Sequence, residues 1–151
     1  MTYRSGKTFT HEVGLSAAFR QWRAESHCRY LHGYALSFTF TFQATDLDQH
    51  GWVVDFGGLK LLRRWLEDTF DHKTVIASDD PELGWFEQAD RVGLLDLVIL
   101  DDGVGCERFA KHGADLATRF LYETDLNDRV RLVSCRVAEH GGNFAEWVVD
   151  P

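Results

Sequence analysis

The chain has 151 residues, with 44% hydrophobic and 13% aromatic side chains, two prolines and a formal net charge of −8. A domain of about 100–200 residues can bury a full core, and a composition this apolar, without a repetitive tract, excludes a disordered polymer. The acidic balance argues against a broad nucleic-acid footprint, which needs clustered Lys and Arg. Cys28, Cys106 and Cys135 form an odd set without paired spacing, so no disulfide framework is expected. Met1-Thr2-Tyr3-Arg4-Ser5 does not read as a signal peptide, and no stretch of about 20 apolar residues is present to span a bilayer. The expectation is one cytoplasmic domain, residues 1–151, with neither nucleic acid nor membrane as a partner.

From Phe9 to Phe19 the odd positions carry Phe9, His11, Val13, Leu15, Ala17 and Phe19, which predicts one half-buried strand. A clearer strand follows, with Tyr34, Leu36, Phe38, Phe40 and Phe42 on one face and Ser37, Thr39, Thr41 and Gln43 on the other. Asp55 is placed to cap a helix whose apolar stripe is Leu59, Leu62, Leu66 and Phe70. Residues 72–105 form an acidic connector whose run Leu94–Leu100 has room for a short strand. A second helix begins near Glu107, after Gly103 and Gly105, with Phe109, Leu116, Phe120 and Leu121 inward. Strands near Val130–Ala138 and Phe144–Val149 close the chain, joined at Gly141-Gly142-Asn143. The order β-β-α-α-β-β predicts an α+β domain: a four-stranded antiparallel sheet with two helices on one face. Its other face, polar and long, invites closure with neighbouring subunits into a barrel.

Chemistry concentrates at Cys28-Arg29-Tyr30-Leu31-His32-Gly33-Tyr34, a thiol and an imidazole set just before the long strand. Ser16-Ala17-Ala18-Phe19-Arg20, Cys28-x3-His32-Gly33-Tyr34, Gly51-Trp52-Val53-Val54-Asp55-Phe56-x2-Leu59-Lys60, Asp71-His72-Lys73 and Glu139 follow one another along the chain. Together they resemble the 6-pyruvoyl-tetrahydropterin synthase and 6-carboxytetrahydropterin synthase family over nearly the whole chain.

The resemblance implies the tunnelling fold, in which subunits associate into a barrel as a trimer or hexamer. It also implies 7,8-dihydroneopterin triphosphate as substrate and lyase-type chemistry in pterin or deazapurine biosynthesis. Cys28 falls on the family's catalytic cysteine, which needs cationic or dipolar neighbours to become a useful base; otherwise a free cysteine is a small buried apolar side chain. Asp71 and His72 fall on the proton-relay pair, a carboxylate orienting an imidazole. Glu139 falls on the pterin anchor, where a carboxylate accepts two parallel N–H bonds from the ring. Glu107 matches a glutamate at the second helix's start, with a possible ligand contact.

The family's zinc sits on three histidines, and here the sequence departs. Phe19 and Tyr34 occupy the first and third of those positions, leaving His32 as the one matching ligand. Phenylalanine cannot coordinate, and a phenol near pKa 10 is a poor ligand at neutral pH. The resemblance therefore implies zinc for the family, whereas these residues make it doubtful here, and they offer Phe19 and Tyr34 as surfaces for a flat pterin-like or purine-like ring. A zinc-free homologue that binds such a ring, without the family reaction or with a metal-independent one, is the alternative. His11 reads as a core histidine; His50, His112 and His140 have no partner evident in the sequence; Cys106 and Cys135 read as structural.

Overall fold

A computed structural model describes residues 1–150. The centre of the sheet is β3 (His32–Ala44), and its two halves have different neighbours. Its second half pairs antiparallel with β1 (Tyr3–Phe9), Phe9 opposite Phe38, and its first half with β2 (Leu15–Phe19), Phe19 opposite His32. Its other edge pairs with β6 (Val130–His140), which forms a hairpin with β7 (Asn143–Val148).

The continuous strand expected over Phe9–Phe19 is therefore two strands. Residues 10–14 lie opposite the single residue Ser37, as a short 3-10 turn at His11–Val13 ended by Gly14 with φ 83°. That left-handed backbone favours glycine. The alternation survives the break, because Phe9 and Leu15 are both buried, which is why the pattern reads as one strand. His11 is not in the core: it is half-buried, and its Nδ1 donates to the Ala35 carbonyl at 2.5 Å.

The sheet is larger than the four strands expected, with seven strands among the described residues. β4 (Lys73–Ala77) runs parallel to β2, and β5 (Leu97–Leu100) runs parallel to β4. A parallel neighbour needs a crossover connection, and α2 (Leu83–Arg91) supplies it. The described residues thus hold three α-helices rather than two, the others being α1 (Lys60–Phe70) and α3 (Cys106–Glu123). Strand β5 is the short element anticipated within Leu94–Leu100.

Leu59, Leu62, Leu66 and Phe70 of the α1 segment are buried, as are Phe109, Ala110, Ala114, Ala117, Phe120 and Leu121 of α3. They meet Leu36, Phe38, Phe40 and Phe42 from β3 and Cys135 and Val137 from β6 in one core. Burying each large aromatic side chain contributes roughly 1.5–3 kcal/mol, so the phenylalanine row of β3 anchors the strand that carries the site. Asp55 caps as expected, accepting from the Gly57 N–H at 2.8 Å at the head of a 3-10 turn leading into α1. No helix among the described residues is long and apolar enough to cross a membrane.

Candidate functional site: an aromatic triad beside a thiol and a carboxylate

Antiparallel register assembles the site. Phe19 is opposite His32 and Ala17 is opposite Tyr34, and alternation turns Phe19, His32 and Tyr34 toward the helix-covered face. Their rings form a triad, with centroids 5.0 Å apart for Phe19 and His32, 5.5 Å for His32 and Tyr34, and 6.2 Å for Phe19 and Tyr34. Phe109 of α3 meets Phe19 edge-on at 5.0 Å. The three positions that the resemblance assigns to zinc are thus brought together.

The described residues do not form a zinc site. Phe19 is fully buried and has no donor atom. His32 faces the Tyr30 carbonyl through Nδ1 at 2.7 Å; a carbonyl only accepts, so Nδ1 carries the proton and Nε2 is the one free nitrogen. Burial, then the Glu139 carboxylate, then Cys28 push the Tyr34 phenol above its ordinary pKa, so at neutral pH it is a hydrogen-bond donor rather than a phenolate ligand. Among the described residues no three His, Cys, Asp or Glu side chains are grouped to hold a metal. Three well-placed protein ligands are what a catalytic zinc requires.

Cys28 sits in a 3-10 turn at His27–Arg29 capped by Ser26, and is half-buried. The Gln21 N–H donates to the Cys28 carbonyl at 2.9 Å, tying the thiol's loop to the end of β2. That end is fixed by Arg20, whose guanidinium makes two 2.8 Å bonds to the buried Asp80. Glu139 lies near the end of β6, close enough to raise both Tyr34 and Cys106. Burial first and Glu139 second push the Cys106 thiol up to about 11, and its Sγ–H donates to the Val137 carbonyl at 3.1 Å. Cys106 and Cys135 are buried, as structural cysteines should be. Glu107 is exposed in the first turn of α3, where a carboxylate complements the helix dipole.

Asp71 and His72 form a second group. Asp71 ends α1 with its N–H on the Glu67 carbonyl at 2.9 Å. His72 turns back with φ 57°, its N–H on the Ser16 carbonyl at 2.8 Å and its Nδ1 donating to the Asp71 carboxylate at 2.5 Å. The carboxylate fixes the tautomer and leaves Nε2 as an available base, on a side chain 88% exposed. His72 lines an open depression of about 440 Å³ with Ser16, Ala18, Gly33, Tyr34 and Lys73, a set that includes neither Cys28 nor Glu139. Tyr34 is the link between the two groups.

One neighbour has no signal in the sequence beyond its place after Glu139. His140 lies with its ring centroid 6.0 Å from that of Tyr34. Its Nδ1 accepts from the Gly142 N–H at 3.0 Å, so the proton of the neutral ring is on Nε2. The hairpin turn after β6 makes this bond, and only the folded turn reveals it.

A mixed sheet packed against helices, with a ring-lined site at its β2–β3 end, defines a class with solved examples. The chain is similar to the crystal structure of an uncharacterized protein from Wolinella succinogenes, with TM-score 0.81, 20% identity and 99% of each chain covered. It is also similar to a 6-pyruvoyl tetrahydropterin synthase from Plasmodium falciparum, with TM-score 0.69, 14% identity, and 98% of this chain and 99% of that one covered. Residues 8–148 match the model of the 6-pyruvoyl tetrahydropterin synthase family, and the chain belongs to that family. A 6-carboxy-5,6,7,8-tetrahydropterin synthase from Rickettsia conorii is 32% identical over 76 residues, which are 50% of this chain and 55% of that relative's length. The chain thus spans about half the length of this curated relative.

Proposed function

We infer that this chain binds a pterin-type ring and acts on 7,8-dihydroneopterin triphosphate or a close relative as a carbon–oxygen lyase. The observation that carries the reading is the packing of the His140 ring, next in sequence to Glu139, against Tyr34 with centroids 6.0 Å apart, which brings the end of β6 to the aromatic triad. In this reading Glu139 accepts the ring's amino and adjacent N–H bonds. Cys28 removes a side-chain proton, and Asp71 with His72 forms the relay. Tyr34 lines the ring's edge and Glu107 stands at the mouth, while Phe19, expected as a ring-binding surface, is fully buried and backs Tyr34 from the core instead. The exposed His72 and the half-buried Cys28 sit on different parts of the subunit surface, so self-association into a trimer or hexamer belongs to the same reading.

Family membership and the tautomer set by Asp71 support this function. The donor set of the triad favours a second reading, a zinc-free homologue that holds the ring without the family's elimination. Triphosphate release from 7,8-dihydroneopterin triphosphate separates the two. The lyase reading expects release by the wild type and a loss of at least about a hundredfold in Cys28→Ala, the scale of a removed general base. Equal inactivity of both proteins across pH and added zinc overturns it.

A further inference from the structure

We propose that this site holds its ring ligand without a metal, and that the Tyr34 hydroxyl donates the hydrogen bond that orients an oxygen on the ring's side chain. This rests on the ring-binding reading above and adds to it which atom replaces the Lewis acid.

The three rings of the triad stand at contact distances for aromatic pairs. Phe19, fully buried and touched edge-on by Phe109, fills the space of one ligand with a ring that cannot leave it. His32 offers one free nitrogen, because its other is committed to the Tyr30 carbonyl. His140, the second imidazole against Tyr34, presents N–H at Nε2 and so is a donor. A ligand oxygen arriving here has the Tyr34 hydroxyl and the His140 Nε2–H as donors.

Tyr34 is the donor best placed for that oxygen. The β3–β6 ladder runs to Ser37 opposite Ala138, and the β6–β7 register shifts between Ala138 and His140, so Glu139 sits at an irregularity at the Tyr34 end of the ladder. The ring of His140, the residue after Glu139, lies 6.0 Å from that of Tyr34, so this end of β6 stands beside the phenol, with Glu139 for a bicyclic ring's N–H edge and Tyr34 for its substituent. A half-buried phenol, whose ordinary pKa is about 10, is protonated at neutral pH, as a donor must be. Tyr34 also borders the depression that carries His72.

The test uses the full chain and two probes: neopterin, which carries a hydroxylated side chain, and unsubstituted pterin, which does not. With metal chelated, wild type is expected to bind both, and Tyr34→Phe to bind unsubstituted pterin like wild type but neopterin about tenfold more weakly, the worth of roughly one hydrogen bond. Zinc analysis of the purified proteins is expected to find far less than one zinc per chain in wild type and close to one in Phe19→His/Tyr34→His. Stoichiometric zinc in wild type that disappears in His32→Ala overturns the proposal, as does unchanged neopterin affinity in Tyr34→Phe. Should wild type bind neither probe, ring binding itself fails and this assignment falls with it. If the double variant does not fold, the Tyr34→Phe titration decides alone.

Discussion

Phe19 faces His32 across the β2–β3 ladder with ring centroids 5.0 Å apart, and α3 closes the contact from above through Phe109. A position where the family resemblance calls for a metal ligand is here part of the hydrophobic core, so this ring contributes packing rather than coordination.

Phe19→Ala is therefore expected to destabilise the chain by about 3–5 kcal/mol, the usual cost of emptying a buried phenylalanine site. The cavity opens between two strands and α3, and His32, Tyr34 and Phe109 all lose a packing partner. Urea denaturation of wild type and variant checks this. A midpoint unchanged within error would show that the ring is not seated in the core.

Gly33 controls the same ladder from the opposite face. A Cβ there meets the Ala17 carbonyl oxygen at 2.3 Å and the Ala18 Cα at 3.1 Å, and both are backbone atoms. Backbone cannot swing aside as a flexible side chain does, so Gly33→Ala must push β2 from β3. Overpacking costs about 1–3 kcal/mol, and the upper end applies here. For a chain of this size a loss of about 3 kcal/mol lowers Tm by roughly 6–12 °C. Thermal melts test it, and a shift under about 2 °C would contradict the close approach.

The link between Arg20 and Asp80 predicts a pH dependence. Burial pushes the Asp80 carboxyl up, but the Arg20 guanidinium and the Glu82 N–H outweigh it, and the net shift is downward. With the folded value below the unfolded one, the unfolded chain takes up its proton first on acidification. The stabilisation is thus present above about pH 4 and lost as pH falls through the folded value. Asp80 has no side-chain exposure and Arg20 has 21%, so Asp80→Asn strands a mostly buried cation at a cost of about 3 kcal/mol at pH 7. The gap between wild type and variant, measured by urea unfolding, should narrow steadily from pH 5 to pH 3. A gap independent of pH would remove Asp80 as its source.

The sequence showed what repeats at short range. The phenylalanine row of β3, the Leu59–Phe70 stripe and the hairpin glycines each follow from a period or a turn preference, and each appears as read. It did not show the edge of the sheet beyond β2. Lys73–Ala77 is only five residues long and becomes a strand through a parallel neighbour more than fifty residues earlier in sequence, which no local pattern encodes. Helix α2 escaped for a related reason: its surface leaves Trp85 exposed and buries only Phe86 and Ala89, so its stripe is weak. At the site, the motifs named Phe19, His32 and Tyr34, but the tautomers of His32 and His140 depend on carbonyl and N–H groups placed only by the folded turns.

Thiol accessibility gives the last prediction and joins fold to function. Cys106 and Cys135 are buried, and burial, foremost, raises both above the ordinary thiol range, with Glu139 adding to the shift at Cys106 and Glu146 at Cys135. A thiolate is the reactive species, so at pH 8 neither should react with an aromatic disulfide reagent while the chain is folded. Cys28 is half-buried in a surface turn and has access to reagent. One fast equivalent is expected in native protein, absent in Cys28→Ala, against all three on denaturation in urea. A bound ring beside Tyr34 should slow the fast equivalent by about the fraction of sites it occupies. Saturating pterin that leaves the Cys28 rate unchanged would place the ring away from the thiol and dissolve the grouping of Cys28, Tyr34 and Glu139 into separate surface features.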